Sequence, residues 1–297
     1  MKSQPRVVDW IMLGFLSLAW GFAFLLTAVG LESFPPLTLV TVRLAVGALV
    51  LFVIMRWQGL RLPRDRRWWR LFTVLTLLGN LLPFTLISWA QQHLPSGQSG
   101  LLMALVPIST LLLAHFFVDH EHLTPQRVLG VLTGFAGVAV LVGGEALGGL
   151  GGAALVPQLA IIAATFFYAV NNVYTKRLPP LHGLVKATGS LFMGSLIMLP
   201  FCLLLEQPWQ LDISAGPLLA TVSLGVFSTG LATWAYFVVV SNCGPNFLSL
   251  INYLIPALAF AAGVFLLGES ASAWQFVGLL VICGGIAISQ SGRPRTG

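Results

Sequence analysis

A run of about 20 apolar residues leaves a chain few options, because a helix of that length just crosses the hydrocarbon core of a bilayer. This chain carries ten such runs, at about 9–30, 36–56, 68–89, 97–118, 125–143, 153–174, 184–205, 216–240, 245–267 and 272–290. Gly, Pro or polar residues separate them. Only 8% of the 297 residues are charged and 57% are hydrophobic, whereas a soluble domain carries about 25% charged residues. The sequence therefore predicts an all-α membrane protein with ten transmembrane helices. The net charge of +6 does not call for nucleic acid, since basic loops on the cytoplasmic side of a membrane account for it. The segment "MKSQPRVVDW" resembles the start of a signal peptide. The apolar run behind it is long enough to span and no A-x-A site follows, so a retained first helix is expected. Cys202, Cys243 and Cys283 fall in or beside separate spans with no C-x-x-C spacing, and read as small packing residues.

The basic residues test the count. Lys2 and Arg6 precede the first run. Arg56, Arg61, Arg64, Arg66, Arg67 and Arg70 lie at or between the ends of the second and third. Arg127 follows the fourth, Lys176, Arg177 and Lys186 bracket the connection from the sixth to the seventh, and Arg293 and Arg295 follow the tenth. With ten spans all of these fall on one side. The opposite side holds Glu32, Glu145, Glu206, Asp212 and Glu269 and no base. Positive charge is retained in the cytoplasm, so both termini are expected there, with the protein multi-pass in a bacterial inner membrane. Arg43 alone among the bases lies inside a span.

The chain also repeats itself. When "MALVP" (103–107) is set on "NYLIP" (252–256), Pro107 meets Pro256, Asn80 meets Thr229, Phe84 meets Thr233 and Met103 meets Asn252. One residue of slippage later Glu121 meets Glu269, Gly130 meets Gly278 and Gly137 meets Gly285. Residues 1–147 and 148–297 thus read as two copies of a five-helix unit. An odd number of spans inserts the second copy upside down, so the expected architecture is two inverted five-helix repeats. Such repeats place a site near the midplane and open it to each face in turn.

Chemistry is expected at that depth. A proline inside a helix frees the carbonyl four residues earlier. Pro107 and Pro256 point to Met103 and Asn252, and Pro83 points to Gly79, beside Asn80. By helical spacing Asn80 and Phe84 share a face, as do Thr229, Thr233 and Tyr236, and Tyr168 with Asn172. Asn171 lies next to Asn172, and Tyr253 next to Asn252. With Trp20 these are the expected substrate-binding residues, and Pro83, Pro107 and Pro256 are the expected hinges. Amides and hydroxyls suit a small polar or zwitterionic ligand, and aromatic walls suit a flat side chain. For Arg43 three roles stand open: snorkelling to the nearer membrane surface, bonding freed carbonyls, or meeting a substrate carboxylate. No Asp or Glu lies in mid-membrane, so proton coupling has no obvious relay. Gly130-x-x-x-Gly134 and Ser190-x-x-x-Gly194 read as close helix packing.

"AWGFAF" (19–24) and the weaker "FFYAVN" (166–171), each followed by a helix-internal Pro, a Glu-containing turn and a Gly-rich closing helix, resemble the EamA domain pair of the drug/metabolite transporter superfamily. Within it the chain resembles the bacterial aromatic amino acid exporters. The resemblance covers nearly the whole sequence. It implies ten helices, a central cavity lined mainly by the first, third, fourth, sixth, eighth and ninth, and export of amino acids or related metabolites. The second copy departs from the pattern, with Phe167 in place of the tryptophan and Ser190 roughly where Arg43 would repeat. The first-helix acid of small multidrug transporters is missing.

The expected partners are the lipid bilayer and a small-molecule substrate, with an amino acid, aromatic by preference, ahead of drugs or other metabolites. No nucleic acid, cofactor or metal is expected, and either a monomer or a homodimer fits. A membrane enzyme or receptor is the reading from another class, but no H-E-x-x-H, paired mid-membrane carboxylates or Ser–His pairing supports it. "HFFVDHEH" (115–122) has some metal-ligand character and reads as a solvated turn.

Overall fold

Prolines and glycines set where the helices begin and end. Pro36 and Pro125 open helices and Pro95 caps one, positions where the missing N–H costs nothing. Gly59, Gly244 and Gly268 take positive φ at helix ends, where a left-handed residue stops a helix without a Cβ penalty. In the computed structural model, which describes residues 5–118, 123–145 and 154–291, the apolar runs form helices α1 (Val7–Gly30), α2 (Pro36–Trp57), α3 (Arg66–Gln91), α4 (Ser96–Phe117), α5 (Pro125–Val142), α6 (Leu155–Lys176), α7 (Gly183–Glu206), α8 (Ala215–Cys243), α9 (Ile251–Leu267) and α10 (Ala273–Gln290). Nine are long and apolar enough to cross a membrane, and α9 is shorter. A one-turn helix, Pro245–Leu248, precedes α9. A 3-10 turn spans Pro208–Gln210, and no strand occurs among the described residues. Lys2, Arg293, Arg295, Glu121, the 119–122 stretch of the His-rich turn and the boundary at 147/148 lie outside the described residues.

Three helices depart from regular winding in a way that hydrophobic periodicity does not report. Wide π-turns occupy Leu77–Leu81 in α3, Leu224–Leu231 in α8 and Cys202–Glu206 in α7. The first two fall on the matched pair Asn80 and Thr229, so the same irregularity occurs in both copies. In α3 the Leu82 amide bonds back five residues to the Leu77 carbonyl, which absorbs part of the disturbance that Pro83 introduces. The matched position in α8 is Ala232, so proline is not what makes these turns. α4 breaks at Met103–Ala104 and α9 starts afresh at Ile251. The carbonyl that Pro107 was expected to free is not left open, because Met103 O accepts from the Val106 amide at 3.0 Å.

Three of the five pairs of equivalent helices pack on each other, and they do so antiparallel. α2 pairs with α7, α4 with α9 and α5 with α10. Along α5 and α10, Gly130 abuts Ser289, Gly134 abuts Gly285 and Gly137 abuts Ile282, which is the order an antiparallel pair gives. Three further sets of contacts come in exchanged pairs: α1 with α8 and α3 with α6, α1 with α9 and α4 with α6, α2 with α8 and α3 with α7. The fold is therefore a two-repeat helical bundle. Close approach rests on small residues: a side chain at Gly130 or Gly285 would strike backbone of the opposite helix, and one at Gly194 would strike Thr76.

The helix ends collect into two faces. One carries Arg6, Arg56, Arg66, Arg127, Lys176 and Lys186; the other carries Glu32, Glu206, Asp212 and Glu269 and, among the described residues, no base. They are called here the basic and the acidic face. Ties between loops join like faces. On the acidic face Ser33 meets Ser214 and Glu206 meets Leu37 and Thr38. On the basic face Asn242 donates to Asp9 and Arg177 donates to the Phe117 carbonyl. The two faces differ in closure. The first part of α4, Ser96–Leu102, packs on α9, with Gly97 against Phe260 and Gly100 against Ala259. Its second part, Leu105–Phe117, packs on α6 and α5 instead. α4 and α9 therefore meet closely only toward the acidic face.

Candidate functional site

Arg43 is the focus of the interior. It lies two turns into α2 and is only 8% exposed, so it does not snorkel. Its guanidinium sits 3.6 Å from the centre of the Phe84 ring, and its Nε donates to Thr229 Oγ1 at 2.9 Å. The Thr229 hydroxyl in turn donates to the Leu224 carbonyl at 3.1 Å, across the π-turn of α8. Gly47 lets α8 come this close, since a side chain there would strike Thr229. The role of bonding freed carbonyls is not what the geometry gives: the bond goes to a hydroxyl. The two terminal nitrogens of Arg43 make no hydrogen bond to a described residue, and no described carboxylate pairs with it. Burying a guanidinium at this depth costs about 2.5–3.5 kcal/mol on insertion scales. A desolvated cation–π contact returns about 2 kcal/mol, and a hydrogen bond to a charged group about 1.5–3 kcal/mol. The buried charge is thus tolerable, and its two terminal nitrogens keep their N–H groups for a further acceptor.

The aromatic surroundings come from four helices. Tyr168 of α6 lies 6.5 Å, centre to centre, from Phe84 and packs against both main apolar clusters. Trp234 of α8 joins the same cluster as Phe84, and its enclosed Nε1 has no hydrogen-bond partner among the described residues. Trp20 of α1 lies 5.9 Å from Tyr236 and donates from Nε1 to the Ser228 carbonyl at 2.9 Å. Ser228 reciprocates, its hydroxyl donating to the Ala19 carbonyl at 2.6 Å. The π-turn that shapes Thr229 is thereby locked to α1.

The expected residues do not all converge here. Asn80 donates its amide to Ser190 Oγ of α7 at 3.0 Å. Asn80 matches Thr229 in the repeat and Ser190 stands where Arg43 would repeat, so this is the counterpart of the Arg43–Thr229 bond, made without a charge. Asn172 is exposed and donates to Thr110 of α4 at 3.2 Å. Asn171 lies against Gly79, and its enclosed Oδ1 has no partner among the described residues. Met103 and Tyr253 pack on the cluster around α4 and α9. Thr233 and Asn252 are half-buried, as is Pro107, while Pro83 and Pro256 are buried. Two polar residues escaped the sequence reading. The indole N–H of Trp234 is one. Asp9 is 2% exposed near the start of α1 and accepts from the Arg6 amide and from Asn242 Nδ2 of α8, at 2.9 and 2.8 Å. The Arg6-x-x-Asp9 spacing was its only signal.

Comparison with known proteins agrees with this architecture. The model of the EamA-like transporter family matches twice, over residues 9–143 and 156–290. Among similar proteins, the uncharacterized transporter YoaV of Bacillus subtilis is 25% identical over 93% of this chain and 95% of its own. The uncharacterized inner membrane transporter YedA of Escherichia coli is 26% identical over 94% and 89%. A probable terminal-alkyne amino-acid exporter of Streptantibioticus cattleyicolor is 27% identical over 84% and 82%. One solved crystal structure, 22% identical, covers 97% of this chain and 98% of its own with a TM-score of 0.68, a likeness of fold alone. Matched in both halves, this chain belongs to the EamA-like transporter family and is a multi-pass membrane transporter, not an enzyme.

Proposed function

We propose that the protein exports a small carboxylate-bearing metabolite, an amino acid and by preference an aromatic one, by alternating access around Arg43. The observation that carries this reading is a buried guanidinium whose two terminal nitrogens are unused, with no acidic partner among the described residues, held 3.6 Å from the centre of the Phe84 ring. A substrate carboxylate is the group that geometry suits, since a guanidinium offers paired donors in one plane. Phe84, Tyr168 and Trp234, with Trp20 and Tyr236 beyond Thr229, supply the aromatic walls. The exporter of Streptantibioticus, by its name, handles an amino acid. Met103, Asn171, Thr233, Asn252 and Tyr253 are assigned to the outer parts of the pocket, with Pro83, Pro107 and Pro256 as hinges. Asn80 and Asn172 bond to other helices here and would reach substrate only in another conformation.

The alternating-access part rests on the antiparallel repeats and on α4 and α9 meeting at one face only. With positive charge retained inside, the basic face and both termini are cytoplasmic, and the geometry described is closed outward. The substrate assignment is tested by binding to purified protein. Wild type should bind an aromatic amino acid at least about tenfold better than its carboxamide, a difference of about 1.4 kcal/mol. Arg43→Gln should remove that preference with Phe84 and Thr229 intact. Equal binding of acid and amide by the wild type would discard a carboxylate contact at Arg43.

A further inference from the structure

α2 begins at Pro36 and α4 directly after Pro95, and neither carries a side-chain cap of its own. Both are capped from the other repeat. Glu206, the last residue of α7, accepts from the Leu37 amide at 2.9 Å through Oε1. Through Oε2 it accepts from the Thr38 amide at 2.6 Å and the Thr38 hydroxyl at 2.7 Å. Glu269, just past α9, accepts from the Ser96 amide at 2.6 Å through Oε1 and from the Gly97 amide at 2.9 Å through Oε2. Each carboxylate thus uses both oxygens on the free amides of a helix N-terminus, where the helix dipole favours negative charge. The second seat is built for this purpose. Gly268 turns the chain at φ +68, and a side chain at Gly263 would collide with the Glu269 carboxylate. The first is reached by a left-handed turn at Gln207, φ 47, directly after Glu206.

Both caps cross from the second repeat to the first, and both lie on the acidic face, where α4 and α9 are in contact. We infer that Glu206 and Glu269 are gating residues: two carboxylate clasps that hold the acidic face shut and must release together for that face to open. Capping alone would be served by a side chain local to α2 or α4. Supplying it from the opposite repeat makes the bond conditional on closure. The inference rests on the alternating-access reading and adds to it the parts that set the closed state.

The test measures the opening of the acidic face in the full-length protein in lipid nanodiscs. Gln92 and Ser270, both exposed on that face, are replaced by cysteine and spin-labelled, with Cys202, Cys243 and Cys283 changed to serine. Double electron–electron resonance then reports the separation of the repeats. With native clasps the short distance should dominate. Glu206→Gln or Glu269→Gln should raise the open-to-closed ratio about tenfold, and the pair together more, because each loses a charge-assisted double acceptor. Thr38→Val, which removes one hydroxyl and keeps both amide bonds, should shift the ratio less but in the same direction, and it supports or overturns the inference on its own if the Gln variants do not fold. Native-like distances in the folded Gln variants and in Thr38→Val would overturn the clasps. If the native protein shows both distances with addition of an aromatic amino acid while the variants are unshifted, alternating access stands and the clasps fall. One distance in every sample would remove both.

Discussion

Arg43 shows how one residue divides two halves of similar build. Its counterpart is Ser190, and the bonds Arg43–Thr229 and Asn80–Ser190 occupy matching places. One copy places a cation on an aromatic ring, the other a neutral amide on a hydroxyl. A symmetric scaffold thereby gains a polarised pocket. Thr229 is the protein's only hydrogen-bond acceptor for that cation among the described residues, so replacing it should leave the charge poorly satisfied. Thr229→Val should lower unfolding stability by about 1–3 kcal/mol, the cost of orphaning a buried polar group, while Thr229→Ser should stay near wild type. Thermal unfolding in detergent, compared at matched conditions, checks this. The charge itself was legible in the sequence, as the one base within a span. Its direction was not, because snorkelling and inward burial differ only in side-chain rotation.

At the scale of elements, run length and proline punctuation located the helices to within a few residues, and the small residues of α5 and α7 foretold close packing. The π-turns were illegible. Each adds a residue to a turn without any compositional mark, and the helix beyond it rotates relative to regular spacing. Asn80 was therefore grouped with Phe84 on one face, whereas Asn80 turns to α7 and Phe84 lies under Arg43. The pairing of α5 with α10 gives a sharp test of element packing. Gly285 lies 2.6 Å from the Gly134 amide and 2.7 Å from the Gly130 carbonyl, measured from a Cβ added there, whereas Gly14 has nothing within 4 Å. Gly285→Ala should destabilise by about 1–3 kcal/mol through overpacking. Gly14→Ala should be neutral or stabilising by about 0.5–1 kcal/mol through helix propensity. Melting curves of the two variants should move apart, and equal shifts would contradict the antiparallel contact.

For the whole molecule, the separation of charge between faces and the doubled phrase around Pro107 and Pro256 pointed to two five-helix units before any geometry was known. Three pairs of equivalent helices, α2 with α7, α4 with α9 and α5 with α10, pack antiparallel, and the proposed exchange of faces rests on that pairing. The one-sided contact of α4 and α9 matches one half-cycle of such a machine, with Arg43 placed where both halves meet. The most direct test is counterflow in proteoliposomes. Vesicles preloaded with an unlabelled aromatic amino acid should take up the labelled compound at least about tenfold faster than empty ones, because a loaded carrier reorients with substrate in both directions. Arg43→Gln should lose most of that acceleration while remaining folded. Uptake that ignores the preload, or an Arg43→Gln variant that exchanges at the wild-type rate, would contradict a carrier working around this arginine.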